Sequence, residues 1–416
     1  MDKVAIVLAA GRSSRMHTQL PKVLHEVCGR PMLEYVLDAC REAGVSRICV
    51  VVGFGGEQVQ QRYSGASDIV WVTQAEQLGT AHAVQCCREH LADFEGDTMI
   101  LCGDGPLVRA ETLRTLIEKH ESERAAATLG TAVLDDPTGY GRIVRDAYGN
   151  LQGIVEHSDC TPEQRAIREI NPSNYLFNNR LLFEALDRIE PNNVKGEYYL
   201  TDVLAVLIAG GHKVVAVTAV QPEEAVGVNS RGQLSVASKI MQRRVQEQLM
   251  DQGVTIVDPA NTWIDARARV GQDTVIEPFT YIHGDVRIGQ RCRIGPFAYV
   301  REGTTLQDDV VLGVFTEIKS STLADGVRAR HHSYIGDATI GRHVNVGAGS
   351  LTANYDGRAI QRTTVGDGSY IGSGAILVAP LTLEPGSNVG PGTVISNNNH
   401  DRLGGNGCTE REEGRR

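Results

Sequence analysis

From Ile264 onward an aliphatic residue recurs at every sixth position: Ile264, Val270, Ile276, Ile282, Ile288, Ile294, Val300, Leu306, Leu312 and Ile318. The series resumes at Val365, Ile371, Leu377, Leu383, Val389 and Ile395, and glycine often follows directly. Neither a helix of 3.6 residues per turn nor a simple alternating strand generates this spacing. A β-helix of six-residue repeats does, with one inward aliphatic per short strand and a small residue at each corner. Three repeats close one triangular coil, so the stretch predicts a parallel β-helix of about seven coils.

The repeat is interrupted twice. Its register slips around "HHSYIGDA", between Ile318 and Ile340, and "TANYDGRAIQRTT" breaks it after Leu351. Insertions in a solenoid map to loops on one face, often the binding face. Polar residues concentrate in both stretches. The first is expected to set Arg330 to Tyr334 apart from the regular wall, projecting into a groove.

The first half has a different rhythm. Strand-like runs ("VAIVLAA", "RICVVVG", "DIVWVTQ", "DTMILCGDGP") alternate with helical patterns at Met32 to Ala43 and from about Thr80. This alternation predicts an α/β domain of Rossmann-like type around a mixed, mainly parallel sheet. Ligands in such sheets bind beyond the carboxyl ends of the strands, where the turns at Gly11 and at Cys102 to Pro106 fall. Leu234, Ala237, Ile240, Met241, Val245 and Leu249 keep helical spacing up to Gly253. The expected organisation is therefore an α/β domain over 1–229 and a linker helix over 230–255. A β-helix over 256–398 and a polar tail over 399–416 follow.

Composition narrows the function. A net charge of −10 and 5% aromatic residues argue against a nucleic-acid or anionic-membrane binder. Nine scattered cysteines without a C-x-x-C spacing indicate neither zinc nor a disulfide framework, and point to a reducing, cytoplasmic compartment. No run reaches the roughly 18 apolar residues of a membrane span.

The loop after the first strand, "LAAGRSSRMHTQLPKVL", fits neither common phosphate-loop pattern, yet it carries Gly11, Arg15 and Lys22. Small residues at Ala9, Ala10 and Gly11 let the backbone pass close to a flat ligand, and the turn's N–H groups can face phosphate oxygens. Arg15 is a bidentate donor and Lys22 a point charge, a pair suited to a triphosphate. Asp104, ending a buried strand at the same rim, suits Mg²⁺ held against substrate phosphates. Gln74, Gly79 and Thr80 fall where a helix begins, suited to hydrogen-bonding a base edge. Gly141, Glu156 and Asn171 are placed to read sugar hydroxyls.

Taken with "QAEQLGTAHA", "GDGPL", "DDPTGYGRIVR", "GIVEH", "GEYYLTD" and "GVNSR", the first half resembles the bifunctional N-acetylglucosamine-1-phosphate uridyltransferase / glucosamine-1-phosphate N-acetyltransferase family. The resemblance continues through "IGPFAYVREG", "FTEIKSS", "HHSYIGDATIG", "VNVGAGSLTANYDG" and "IGSGAILVAP", sparing only the last twenty or so residues. It implies a left-handed β-helix, a homotrimer, and UTP, acetyl-coenzyme A and sugar phosphates as substrates. It assigns Leu8, Ala9, Ala10, Gly11 and Gln74 to uridine, with Gly79 and Thr80 completing the base pocket. Mg²⁺ falls to Asp104 and Asn229, the phosphates to Arg15 and Lys22, and the acetamido sugar to Gly141, Glu156 and Asn171.

In the second half the resemblance makes His331 the catalytic histidine. Acetyl transfer to an amine needs such a base, since a protonated amine is no nucleophile. Arg301, Lys319, Tyr334, Asn345 and Asn354 match sugar-phosphate binders, and Ala348, Tyr355 and Ser373 match residues near the catalytic centre or acetyl-coenzyme A. At separations of 12 and 30 residues, Lys319 and Arg301 are expected on one rim with His331. A second reading retains only the nucleotidyltransferase, with the β-helix as a trimerisation or regulatory scaffold.

Overall fold

The computed structural model describes residues 2–11, 14–191, 193 and 196–397; the expected tail at 399–416 lies outside them. The chain divides into two compact units, Met1–Met241 and from Gln242 onward.

The first unit is built on a sheet ordered Val214–Val217, Ala127–Val133, Glu169–Asn178, Asp97–Cys102, Lys3–Ala9, Arg47–Val52, Ile69–Thr73. Lys3–Ala9 pairs in parallel with both Arg47–Val52 and Asp97–Cys102, while Glu169–Asn178 runs antiparallel to both its neighbours. The sheet is mixed and mainly parallel, as the alternating pattern predicts. A hairpin of Gly141–Arg145 and Leu151–Val155 extends it from Glu169–Asn178.

The central strand is apolar throughout because both of its faces are covered. Ala5 and Val7 pack with Leu33, Val36 and Leu37 of the helix Met32–Glu42. Val4 and Ile6 belong to the opposite core, with Ala83 and Val84 of Thr80–Gln85 and Val203 and Leu204 of Leu200–Ala209. That strand leads to Gly11, so the glycine turn is anchored by a rod that cannot tilt without opening two cores.

The second unit is a left-handed parallel β-helix. Its three sheets hold eight, eight and seven short strands among the described residues, so seven full coils are closed, in line with the expected number. Every aliphatic of the six-residue series is buried, none more than 8% exposed, and these residues form one continuous core. The helix Arg231–Asp251 reaches this unit with its C-terminal half. There Gln246 donates to the carbonyls of Pro259 and Thr262, at 2.9 and 2.8 Å, and the Ile264 N–H donates to Gln242 at 3.1 Å. The open end of the first coil is thereby satisfied.

The register does slip between Ile318 and Ile340, but the expected separation of Arg330 to Tyr334 from the wall is corrected. Arg328–His331 is a regular strand, His331 pairs with Val314 in the ladder, and Ala329 and Ile335 stay inside. The repeat shortens to five residues from Ile318 to Leu323 and again, within the stretch expected, from Ile335 to Ile340. At the first shortening the Ser321 hydroxyl donates to the Lys319 carbonyl and accepts from the Ala338 N–H, so a buried serine absorbs the missing residue. The second break is a loop between Leu351–Ala353 and Thr363–Val365, closed by a bridge between Tyr355 and Ile360.

Candidate functional site

In the first unit two clefts meet at the carboxyl ends of the central strands. One, of about 270 Å³, is walled by Leu8, Ala9, Ala10, Gly11, Lys22, Gln74, Gly79, Thr80 and Asp104. The other, of about 230 Å³, is walled by Asp104, Gly141, Glu156, Asn171 and Asn229. Asp104 lies in both, and a wider cavity of about 560 Å³ runs from Leu8 and Thr80 to Glu156 and Asn229.

At the junction the Lys22 ammonium is ion-paired with the Asp104 carboxylate and donates to the side-chain oxygen of Asn229 at 2.9 Å. Lys22 is held there by its own turn. Pro21 precedes the short turn Lys22–Leu24, the Leu24 N–H donates back to Pro21, and the His25 N–H to Lys22. Arg231 completes the clasp from the start of its helix, donating to the Met16 carbonyl and meeting His25 Nδ1, each at 3.3 Å.

The base-sized cleft has a rigid floor. Gln74 is buried, and its amide donates to the Gly79 carbonyl at 3.1 Å. Gly79 has φ +118°, and a Cβ there would lie 2.4 Å from the Tyr198 carbonyl oxygen, so only glycine fits. The Thr80 hydroxyl accepts from the Leu200 N–H at 3.0 Å. Gln77 donates to the Ala10 carbonyl at 2.7 Å and fixes the glycine turn from the other side. Cys102 lies at the bottom of both clefts; burial, reinforced by the neighbouring Asp104 charge, pushes its thiol up to about 12, so it is no nucleophile at neutral pH. In the sugar-sized cleft a Cβ on Gly141 would come within 3.5 Å of a Glu156 oxygen, and Asn171 donates to Tyr175 at 2.6 Å. Arg15 stands apart: it is exposed on the turn Ser14–Met16 and lines none of these cavities.

In the second unit the sequence-derived residues occupy two neighbouring faces and the edge between them. Arg301, Lys319, Tyr334 and Asn354 follow one another on successive rungs of one sheet. Asn354 donates to Asp337 at 2.5 Å and to the Tyr334 hydroxyl at 3.4 Å, and Lys319 lies 3.8 Å from the same Asp337 carboxylate. Arg301 is paired with Glu317 at 3.0 Å. Both cations are thus held by carboxylates, which fixes their direction.

His331 is exposed at the end of a strand of the adjacent sheet, just before the corner at His332, whose φ is +36°. The same corner on the next coils carries Ala348 and then Ser373, through the bonds Gly349 N–H to His332 and Gly374 N–H to Ala348. His331, Ala348 and Ser373 therefore stack along one edge. Asn345 sits at the far end of its strand, opposite Arg328, and Tyr355 is 63% exposed on the inserted loop. The structure brings Arg301, Lys319, Tyr334 and Asn354 together; it sets His331 one corner away and leaves Asn345 on the other face.

Comparison with known proteins agrees with both halves. Residues 5–190 match the MobA-like NTP transferase domain, and residues 267–302 match the bacterial transferase hexapeptide family of six repeats. A bifunctional protein GlmU from Geobacillus sp. (strain WCH70) is 44% identical over 95% of this chain and 93% of its own length. The bifunctional protein GlmU of Pelotomaculum thermopropionicum is 46% identical over 92% of this chain and 90% of its own. That of Listeria monocytogenes serotype 4a is 40% identical over 95% and 93%.

The chain belongs to the bifunctional GlmU family.

It is accordingly a transferase of two activities, uridyl transfer and acetyl transfer in UDP-N-acetylglucosamine synthesis, and the scaffold-only reading of the β-helix falls away. Among the described residues no helix is long and apolar enough to cross a membrane. Membership in the GlmU family leaves several clasping residues unaccounted for by motif reading. Gln77 and Arg231 lie inside quoted segments, but their bonds join positions 67 and 206 residues apart, which no local pattern reveals.

Proposed function

We propose that the first unit joins UTP to N-acetylglucosamine 1-phosphate, with release of pyrophosphate, at the junction of the two clefts. The observation that carries this reading is the convergence of Lys22, Asp104 and Asn229 between a base-sized and a sugar-sized cavity. Leu8 to Gly11, Gln74, Gly79 and Thr80 take the uridine; Gly141, Glu156 and Asn171 take the acetamido sugar. A sugar-phosphate oxygen entering between them meets the α-phosphorus from the side opposite the pyrophosphate, which leaves past Lys22 and Arg15. Arg15, exposed on the turn Ser14–Met16, is assigned to the same phosphates by family resemblance.

Asp104 and Asn229 offer one carboxylate and one amide oxygen to a single point, a donor set that fits Mg²⁺ completed by phosphate oxygens. When bound, the metal neutralises charge on the triphosphate. The Lys22 ammonium, which reaches the same point, would turn toward the phosphates and stabilise the negative charge that grows on the leaving group.

For acetyl transfer, Arg301 and Lys319 hold the phosphate of glucosamine 1-phosphate, Tyr334, Asn345 and Asn354 orient the sugar, and His331 removes the ammonium proton. Ala348, Tyr355 and Ser373 border acetyl-coenzyme A along the edge above His331. A convex edge offers one wall only, so a neighbouring copy in a homotrimer supplies the other. The protein works in the cytoplasm on small phosphorylated sugars.

Two assays on one preparation test this reading: pyrophosphate release from UTP and N-acetylglucosamine 1-phosphate, and thiol release from acetyl-coenzyme A and glucosamine 1-phosphate. Both are expected, from a species of three times the chain mass by light scattering. Absence of either product under saturating substrates contradicts the corresponding half.

A further inference from the structure

Glu224 lies in the loop that leads from the strand Val214–Val217 to Asn229. Its side chain is fully buried; its carboxylate accepts from the Arg109 N–H at 3.0 Å, the Thr112 hydroxyl at 2.9 Å and the Gln221 N–H at 3.4 Å, and the Arg109 guanidinium lies 4.0 Å away. Arg109 precedes the helix Ala110–Glu123, where no side chain of its own segment caps the first turn. Glu224 does so from 115 residues away. A carboxylate at this end of a helix is favoured by the partial positive charge there and by otherwise unpaired N–H groups.

The consequence reaches the catalytic junction. Asp104 sits five residues before Arg109, and Asn229 five residues after Glu224. Between them the Val228 N–H donates to the Asp104 carbonyl at 3.0 Å, and the Tyr140 hydroxyl ties the Ala225 carbonyl to the sugar-sized cleft at 3.0 Å. Removing the carboxylate would leave the Arg109 N–H and the Thr112 hydroxyl without this buried partner, which is destabilising enough to shift one loop against the other.

We propose that Glu224 is a positioning residue for divalent-cation binding: by clamping the two loops it sets the separation of the Asp104 and Asn229 oxygens, while touching neither. The inference rests on the assignment of those two residues to Mg²⁺. Groups that orient metal ligands from outside typically change metal affinity or activity by about 10–100-fold when removed.

The test compares Glu224→Ala, Glu224→Asp and Glu224→Gln with wild type and Asp104→Ala. It reads the half-saturating Mg²⁺ for uridyl transfer and, independently of turnover, Mn²⁺ binding in the presence of UTP by electron paramagnetic resonance. Glu224→Ala and Glu224→Asp, which no longer reach both loops, are expected to weaken Mn²⁺ binding and raise half-saturating Mg²⁺ on the order of tenfold. Glu224→Gln keeps an acceptor for Arg109 and a partner for the Thr112 hydroxyl but loses the acceptor for the Gln221 N–H, so it falls between Glu224→Ala and wild type. If Glu224→Ala does not fold, the Asp and Gln pair carries the comparison. Folded Ala or Asp variants with unchanged Mn²⁺ binding overturn the role of Glu224, provided Asp104→Ala loses the ion. If Asp104→Ala also binds Mn²⁺ normally, the metal assignment itself is wrong.

Discussion

The ammonium of Lys22 bridges Asp104 and Asn229, so a protein cation stands at the point where a metal ion and a triphosphate are expected to meet. This arrangement stabilises a half-buried carboxylate when no ligand is near. On the proposed assignment of Mg²⁺ to Asp104 and Asn229, ligand binding is an exchange in which one cation replaces another at Asp104.

The exchange has a measurable signature. Lys22→Met should lower uridyl transfer on the order of 10²–10³-fold, the usual loss when a donor to developing charge is removed. The same variant should bind Mn²⁺ more tightly than wild type without nucleotide, because no ammonium has to leave. Equal or weaker Mn²⁺ binding by Lys22→Met would show that Lys22 does not compete for the site.

His25 gives the clasp a pH dependence. Burial, and secondarily the Arg231 charge, hold its imidazole below the ordinary 6.5. The folded state therefore binds the proton less readily than the unfolded state. The contribution of neutral His25 is fully present above pH 6.5 and is lost as pH falls through the lowered folded value. Thermal melts between pH 7.5 and 5 should show stability falling below about 6.5, with a shallower fall in His25→Asn. Identical pH profiles for the two proteins would remove His25 from the account.

His331 and His332 are adjacent and both exposed, yet only His331 belongs to the strand; His332 is the corner. His331→Ala should reduce acetyl transfer by about 10²–10⁴-fold, the typical loss of a general base. His332→Ala should change it little, and uridyl transfer should be intact in both. A larger defect in His332→Ala would reassign the base by one residue.

Much of the fold was legible because one physical requirement repeats. Each short strand of the β-helix must bury one aliphatic, so Ile264 to Ile318 announce their coils directly. The number of shortened rungs is harder to read for a related reason. A five-residue rung moves the aliphatic by one place; the sequence shows one slip around "HHSYIGDA", whereas the structure divides it between two rungs joined by Ser321 and Ala338. In the first unit, residue types at turns and strand ends point to Lys22, Asp104 and Gln74, which the fold brings to the walls of one cleft. Glu224 and Arg231 escaped, since a buried carboxylate capping a distant helix looks in sequence like any loop glutamate.

The most direct measurement is Asp104→Ala assayed for both products in a single preparation. The variant should lose most pyrophosphate release at ordinary Mg²⁺, because the proposed metal site loses its carboxylate, while thiol release from acetyl-coenzyme A continues at the wild-type rate. Uridyl transfer near the wild-type rate in that variant would contradict the assignment of the catalytic junction.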